Sequence, residues 1–145
     1  DRNSSEVWAS FRVGRRARVS LQIDSSTELS ACHDGYKTMN ILHQRTWALA
    51  PDRILITDLL LDTQTRTKDG LQGVARFHFH PAIALQLAGD TIQANSIKIN
   101  VKSDTKPAWR VSTFSSAEGF NRLSPGQCLE VSFTGSLETS FLLSG

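Results

Sequence analysis

The sequence predicts an all-β fold, an antiparallel two-sheet β-sandwich, on three observations. Apolar residues recur at every second position in run after run, the runs have strand length, and clusters of Gly, Pro, Asn, Asp or Ser separate them. No stretch of a dozen residues carries a helical period, which leaves sheet on sheet as the way to bury the apolar faces. At 145 residues the chain has the size of one domain, read here as residues 1–145 around a continuous core, and a second full domain would not fit.

The opening stretch, residues 3–24 (NSSEVWASFRVGRRARVSLQID), sets Val7, Ala9, Phe11, Val13, Ala17, Val19, Leu21 and Ile23 on odd positions and Arg12, Arg16 and Arg18 on even ones. It reads as one half-buried strand with a bulge or bend at Gly14 and Arg15, where both series are interrupted. Positions two apart on such a strand project from one face about 7 Å from each other, so these arginines would line the side away from the core. QRTWAL and DRILITDLLLD follow as two strands joined through Ala50, Pro51 and Asp52. GVARFHFHP then places Ala75, Phe77 and Phe79 on one face and Arg76, His78 and His80 on the other.

AIALQLAGD, TIQANSIKINVKS and AWRVSTFS are the next strands, with a turn at Ala88 to Asp90 and a polar break from Asp104 to Pro107. QCLEVSFTG and ETSFLLSG close the series, after a turn at Ser124, Pro125 and Gly126. Residues 62–73 and 115–123 read as polar or glycine-bearing loops, for a total of about ten short strands. The predicted core is Trp47, Ile54, Ile56, Leu60, Phe77, Phe79, Leu85, Leu87, Trp109, Val111, Val131 and Phe133.

Sixteen Lys and Arg against 14 Asp and Glu leave a net charge of +2, which gives no global argument for nucleic acid. The positive charge is local instead, because residues 1–22 hold Arg2, Arg12, Arg15, Arg16 and Arg18 against Asp1 and Glu6. No apolar run approaches the roughly 18 residues of a membrane helix, and the N-terminus lacks the charged-then-apolar pattern of a signal peptide. The chain begins without methionine, in the middle of a strand pattern, and is expected to be a piece of something longer. Cys32 and Cys128 are too few for a zinc cluster; a disulfide and two buried thiols are both open, with thiols favoured.

Three constellations carry candidate chemistry. CHDGY, residues 32–36, gathers His33, Asp34 and Tyr36 around Gly35, an inventory for proton transfer that is equally an ordinary turn. His78 and His80, two apart on one predicted strand, could both reach one metal ion, yet zinc needs three or four ligands, and only His33, His43 or a distant Asp could complete the set. The arginine stretch reads either as a solvated face paired with Asp24, Glu28 or Asp34, or as a floor whose guanidinium forks suit carboxylate or sulfate oxygens. Serine-hydrolase elbow, phosphate loop and HExxH are all absent from the sequence.

SSEVWASFRVGRRARV, HDGY, HQRTW, FHFHP and the late FSSAEGFNRL together resemble the C-terminal β-sheet domain of heparinase II/III-like proteins, across almost the whole chain. The resemblance implies a longer protein with an N-terminal α/α toroid followed by antiparallel sheets, acting as a lyase on acidic, uronate-containing polysaccharide by β-elimination. In that chemistry a base takes the proton beside the uronate carboxylate, a positive group neutralises the carboxylate, and an acid protonates the departing glycosidic oxygen.

The family's tyrosine and asparagine lie in the toroid, and its catalytic and metal-binding histidine segments precede the point where this sequence starts. The resemblance therefore implies no catalytic residue and no metal ligand here, any metal belonging upstream, and no activity for this part alone. Trp8, Arg12, Arg15, Arg16, Arg18, His33 and Tyr36 are the candidates for facing substrate. The implied partners are an acidic polysaccharide and the toroid of the same chain, with no nucleic acid and no membrane, at a periplasmic or extracellular site. Two other classes compete: a carbohydrate-binding module with Trp8 as aromatic platform, and a purely structural β-sandwich module.

Overall fold

The computed structural model describes residues 6–9, 12–14, 16–64, 70–89 and 91–143. Among them are thirteen strands, all paired antiparallel: β1 (Glu6–Ala9), β2 (Arg12–Gly14), β3 (Val19–Asp24), β4 (Glu28–His33), β5 (Ile41–Ala50), β6 (Arg53–Asp62), β7 (Gln72–His78), β8 (Leu85–Ala88), β9 (Thr91–Ala94), β10 (Ile97–Ser103), β11 (Ala108–Gly119), β12 (Arg122–Thr134) and β13 (Ser136–Leu142). One short 3-10 turn, Lys37–Met39, interrupts them.

Eight strands form a sheet in the order β3-β4-β5-β6-β13-β10-β9-β8, three form a second in the order β11-β12-β7, and β1 pairs with β2 alone. The two larger sheets share one core. Ile56, Leu60, Ile92, Ile99 and Leu137 face it from the large sheet; Ala75, Phe77, Leu129, Val131 and Phe133 face it from the small one. The all-β sandwich predicted from period-two patterning is the observed class.

The opening stretch is three strands rather than one. β1 turns back on β2 with Val7 opposite Val13, and Gly14 ends β2. Those paired numbers differ by six, an even step, so the alternation of the sequence passes through the reversal unchanged and cannot reveal it. β3 then pairs with β4 as an edge strand, and a bulge between Leu21 and Ile23 breaks the parity expected there. Its apolar residues are not core: Val19 is 68% and Leu21 62% exposed, because the three-stranded sheet is too narrow to cover that end of its partner.

Two further expectations change. Residues 115–123 are not a loop, because β11 and β12 form one long hairpin that turns at Phe120 and Asn121, the latter at φ 55°. Ser124, Pro125 and Gly126 lie inside β12 rather than in a turn before it. Pro125 is tolerated because β7 pairs only with Cys128 to Thr134, so at Pro125 the strand has β11 on one side and no ladder on the other.

TIQANSIKINVKS is two strands, β9 and β10, hinged at Asn95 with φ 51°. Of the predicted core, Leu87 is 45% exposed, while Trp47, Ile54, Phe79, Trp109 and Val111 are half-buried against it. Ile92, Ile99, Leu129 and Leu137, all at 0% exposure, form its centre.

Candidate functional site

β5 and β6 are joined by Pro51 and Asp52, and this two-residue connection sets Ala50 opposite Arg53. Counting back from there places Trp47 opposite Ile56, Arg45 opposite Asp58 and His43 opposite Leu60. A carboxylate and a guanidinium thus sit among the apolar residues of the inward face. Asp58 is completely buried, its side chain only 1% exposed. An ionised carboxylate there is tolerable only if it is fully hydrogen-bonded.

It is. Arg45 grips it with a two-pronged fork, Nε to Oδ1 at 2.7 Å and Nη2 to Oδ2 at 3.0 Å, and His43 Nε2 reaches Oδ1 at 2.6 Å. The guanidinium also lies over Phe77 and Trp47, 5.5 and 6.0 Å from the ring centroids. Burial alone would raise the Asp58 carboxyl, but the bonds from His43 and Arg45 outweigh it and hold the group below the usual carboxylate range.

The chain of contacts continues outward to His33, the cross-strand neighbour of His43. His33 Nε2 lies 2.9 Å from His43 Nδ1, and the Gly35 amide N–H donates to His33 Nδ1 at 3.2 Å. One assignment of protons satisfies every link when both rings are neutral. The Gly35 amide fixes His33 Nδ1 as an acceptor, His33 donates through Nε2 to His43, and His43 donates through Nε2 to Asp58. Burial, aided by the neighbouring His43, lowers the His33 pKa from its ordinary value despite the opposing pull of Asp34. Tyr36 packs beside His33, 5.5 Å between ring centroids.

A cleft of about 600 Å³ opens where β7, the edge of the small sheet, runs over β5 and β6. Tyr36, Met39, Ile41, His43, Arg45, Asp58 and Leu60 line it from one side; Gln72 to Arg76, Phe133 and the Thr105 and Lys106 connection line it from the other. Three cationic residues, Arg45, Arg76 and Lys106, and the one carboxylate of Asp58 are among the lining residues, with the Arg76 side chain on the outer face of β7 beside Glu130.

Of the residues singled out in the sequence, His33 and Tyr36 come together at this relay, and the Arg18 backbone is paired with Asp34 next to it. Arg18 donates its amide to Asp34 at 2.7 Å, and its carbonyl accepts the Asp34 amide at 3.1 Å, tying the connector to the turn. Arg16 and Arg18 are exposed and lie outside any strand. Trp8 and Arg12 belong to the backbone hairpin of β1 and β2, and their side chains lie outside what is described; Arg15 lies outside the described residues altogether.

His78 and His80 do not share a strand face. β7 ends at His78, which packs edge-on against Phe114 at 4.7 Å on the outer face, while His80 Nδ1 accepts the Ala82 amide in the following turn. Among the described residues no group of three or more His, Cys, Asp or Glu side chains is placed to hold a metal ion. Cys32 and Cys128 are free thiols, the latter buried.

Of His43, Arg45 and Asp58, the sequence marks only His43, as a possible metal ligand, although a signal for the other two is present. In DRILITDLLLD the even positions Ile54, Ile56, Asp58 and Leu60 carry a lone carboxylate on an apolar face, and Arg45 holds the matching odd position between His43 and Trp47. A charge on each inward face of one hairpin is a paired-site signature.

Residues 1–139 match the family model described as heparinase II/III-like, C-terminal. The crystal structure of the heparan sulfate lyase HepC from Pedobacter heparinus superposes with a TM-score of 0.67 at 9% identity, covering 90% of this chain and 22% of that one. A heparinase III gene product gives 0.61 at 11% identity over 88% of this chain and 21% of its own. The likeness to these structures is one of fold, and the chain spans about a fifth of their length. No curated protein matches the chain in sequence.

Proposed function

Since the chain belongs to the heparinase II/III-like C-terminal family, we propose that it is the C-terminal β-sandwich of a polysaccharide lyase, acting on acidic, uronate-containing polysaccharide by β-elimination. In this reading residues 1–145 are one domain of a longer periplasmic or extracellular protein. They support and help wall its substrate cleft, while an N-terminal toroid carries the chemistry. The family match over residues 1–139 is the observation that carries the proposal. The fold shared with heparan sulfate lyase HepC, over 90% of this chain but 22% of that one, supports its being part of a larger machine.

The relay supports a holding role for this part. Both nitrogens of His43 and both oxygens of Asp58 are engaged within the sandwich. A base for β-elimination needs an unengaged lone pair within reach of the substrate proton. These groups fix Arg45 and the cleft wall instead. No helix among the described residues is long and apolar enough to cross a membrane.

The test is the ultraviolet absorbance of the unsaturated uronate that β-elimination leaves at the new chain end. Heparan sulfate, hyaluronan-type and alginate polymers are each offered to the 145-residue chain and to the longer protein that carries it. The expected result is product from the longer protein on at least one polymer and none from the 145 residues alone. Product from the isolated chain, or none from the longer protein on any uronate polymer, would refute the reading.

A further inference from the structure

We propose that the cleft beside β5 is itself a binding site for a carboxylate-bearing sugar unit, with Lys106 and Arg45 on the carboxylate and Tyr36 on a ring hydroxyl. The argument rests on hydrogen-bonding capacity that the fold leaves unused. A guanidinium has five N–H donors. Asp58 takes two of those on Arg45, and the other three have no partner among the described residues. Arg45 nevertheless lines the cleft with its side chain 24% exposed.

Lys106 also lines the cleft and makes no ion pair among the described residues; the Tyr36 hydroxyl likewise has no hydrogen-bond partner among them. Two cations and a phenol thus line one space without using these groups on one another or on other described residues, apart from the fork on Asp58. Arg76 contributes less, since Glu130 faces it at 3.9 Å.

The division of labour follows from the charges. Asp58 neutralises Arg45, so Arg45 offers rigid donors in a fixed plane, with its ordering cost already met by the fork and the two aromatic rings. Lys106 supplies the net positive charge that selects an anion. Ile41, Leu60 and Phe133 make the cleft walls apolar, which suits the C–H face of a pyranose and adds contacts that a small inorganic anion does not make. The volume of about 600 Å³ lies within the range of small-ligand sites.

This site deepens the acidic-polysaccharide reading, on which the choice of a uronate over other ring carboxylates rests. It differs from that reading in requiring the 145 residues to bind sugar without the rest of the protein. The chain encloses its own buried core, so it can be tested as it stands.

The experiment titrates the chain with glucuronate, and separately with glucose, acetate and glucose 6-sulfate, at low and at physiological salt, following amide and side-chain chemical shifts. Saturating shifts at β5, Tyr36 and Lys106 with glucuronate, persisting at physiological salt, are expected. Glucose should give none, and acetate and the sulfate ester only weak ones. Lys106→Ala should weaken glucuronate binding about tenfold and Tyr36→Phe by a smaller factor; both spare the Arg45 and Asp58 fork, so folding is not at stake.

Equal response to acetate or to the sulfate ester, loss of all shifts at physiological salt, or unchanged affinity in both variants would each overturn the proposal. None of these results touches the lyase reading, which the unsaturated-product assay decides separately.

Discussion

Replacing Asp58 with Ala removes the acceptor of three hydrogen bonds, of 2.6, 2.7 and 3.0 Å, and leaves the Arg45 guanidinium facing apolar neighbours. Breaking a buried pair from one side costs about 3–5 kcal/mol. Arg45 and His43 retain 24% and 21% of their side-chain exposure, so water restores part of their solvation, and a loss of about 3 kcal/mol is expected. That is a large share of the roughly 5–15 kcal/mol by which a domain is stable. With a urea m-value of about 2 kcal/mol/M, the unfolding midpoint should fall by about 1.5 M at unchanged m.

The double variant Arg45→Met/Asp58→Leu removes the charge together with its partner. It should be more stable than Asp58→Ala alone, because an apolar pair avoids an unpaired buried ion. A loss below about 1 kcal/mol for Asp58→Ala, or a double variant no better than the sum of its singles, would refute the argument that the fork satisfies a buried charge.

Stability should also fall on mild acidification. The folded state holds the His33 pKa below its ordinary 6.5, so beneath that pH the unfolded ring binds a proton that the folded one resists. The contribution is complete above the unfolded value and is lost as pH drops toward the folded one. The Asp58 carboxyl, held below 3.8, adds a second loss only in stronger acid. Urea midpoints measured between about pH 5 and 8 should decline on the acid side, and His33→Asn should flatten that limb; an unchanged limb would exclude His33 as its source.

Thr139 is completely buried on β13 and its hydroxyl has no hydrogen-bond partner among the described residues. Thr139→Val should therefore be neutral or stabilising by about 1 kcal/mol in urea unfolding, and a clear loss would reveal a partner. A Cβ on Gly73 would meet the Phe133 ring at 2.8 Å and Leu60 at 3.2 Å, both inside the core, so Gly73→Ala should cost about 1–3 kcal/mol by the same assay. A neutral result would mean that the Phe133 ring gives way freely.

Much of the candidate site was legible along one hairpin. The Pro51 turn is visible in the sequence, and pairing outward from Ala50 and Arg53 sets Arg45 against Asp58 without knowledge of any other strand. His33 was also marked, by the company of Asp34 and Tyr36. What the sequence could not show is that His33 reaches His43, since that depends on β4 lying against the far edge of β5. The place of Lys106 at the cleft was hidden for the same reason, because it arrives there from the β10–β11 connection, far away in the chain.

The sequence by itself determined that the chain makes strands, where several of them turn, and many of the residues that share a face, because side-chain parity and turn chemistry act between near neighbours. Only the tertiary structure decided that β13 inserts between β6 and β10, that β3 is an edge with Val19 and Leu21 uncovered, and that β7 stops over β5 and β6 to leave a cleft. The physical reason is that every strand offers the same backbone donors and acceptors along its edges. Which edges meet, and where the smaller sheet ceases to cover the larger, is settled by burial summed over the whole chain, a quantity that no local stretch contains.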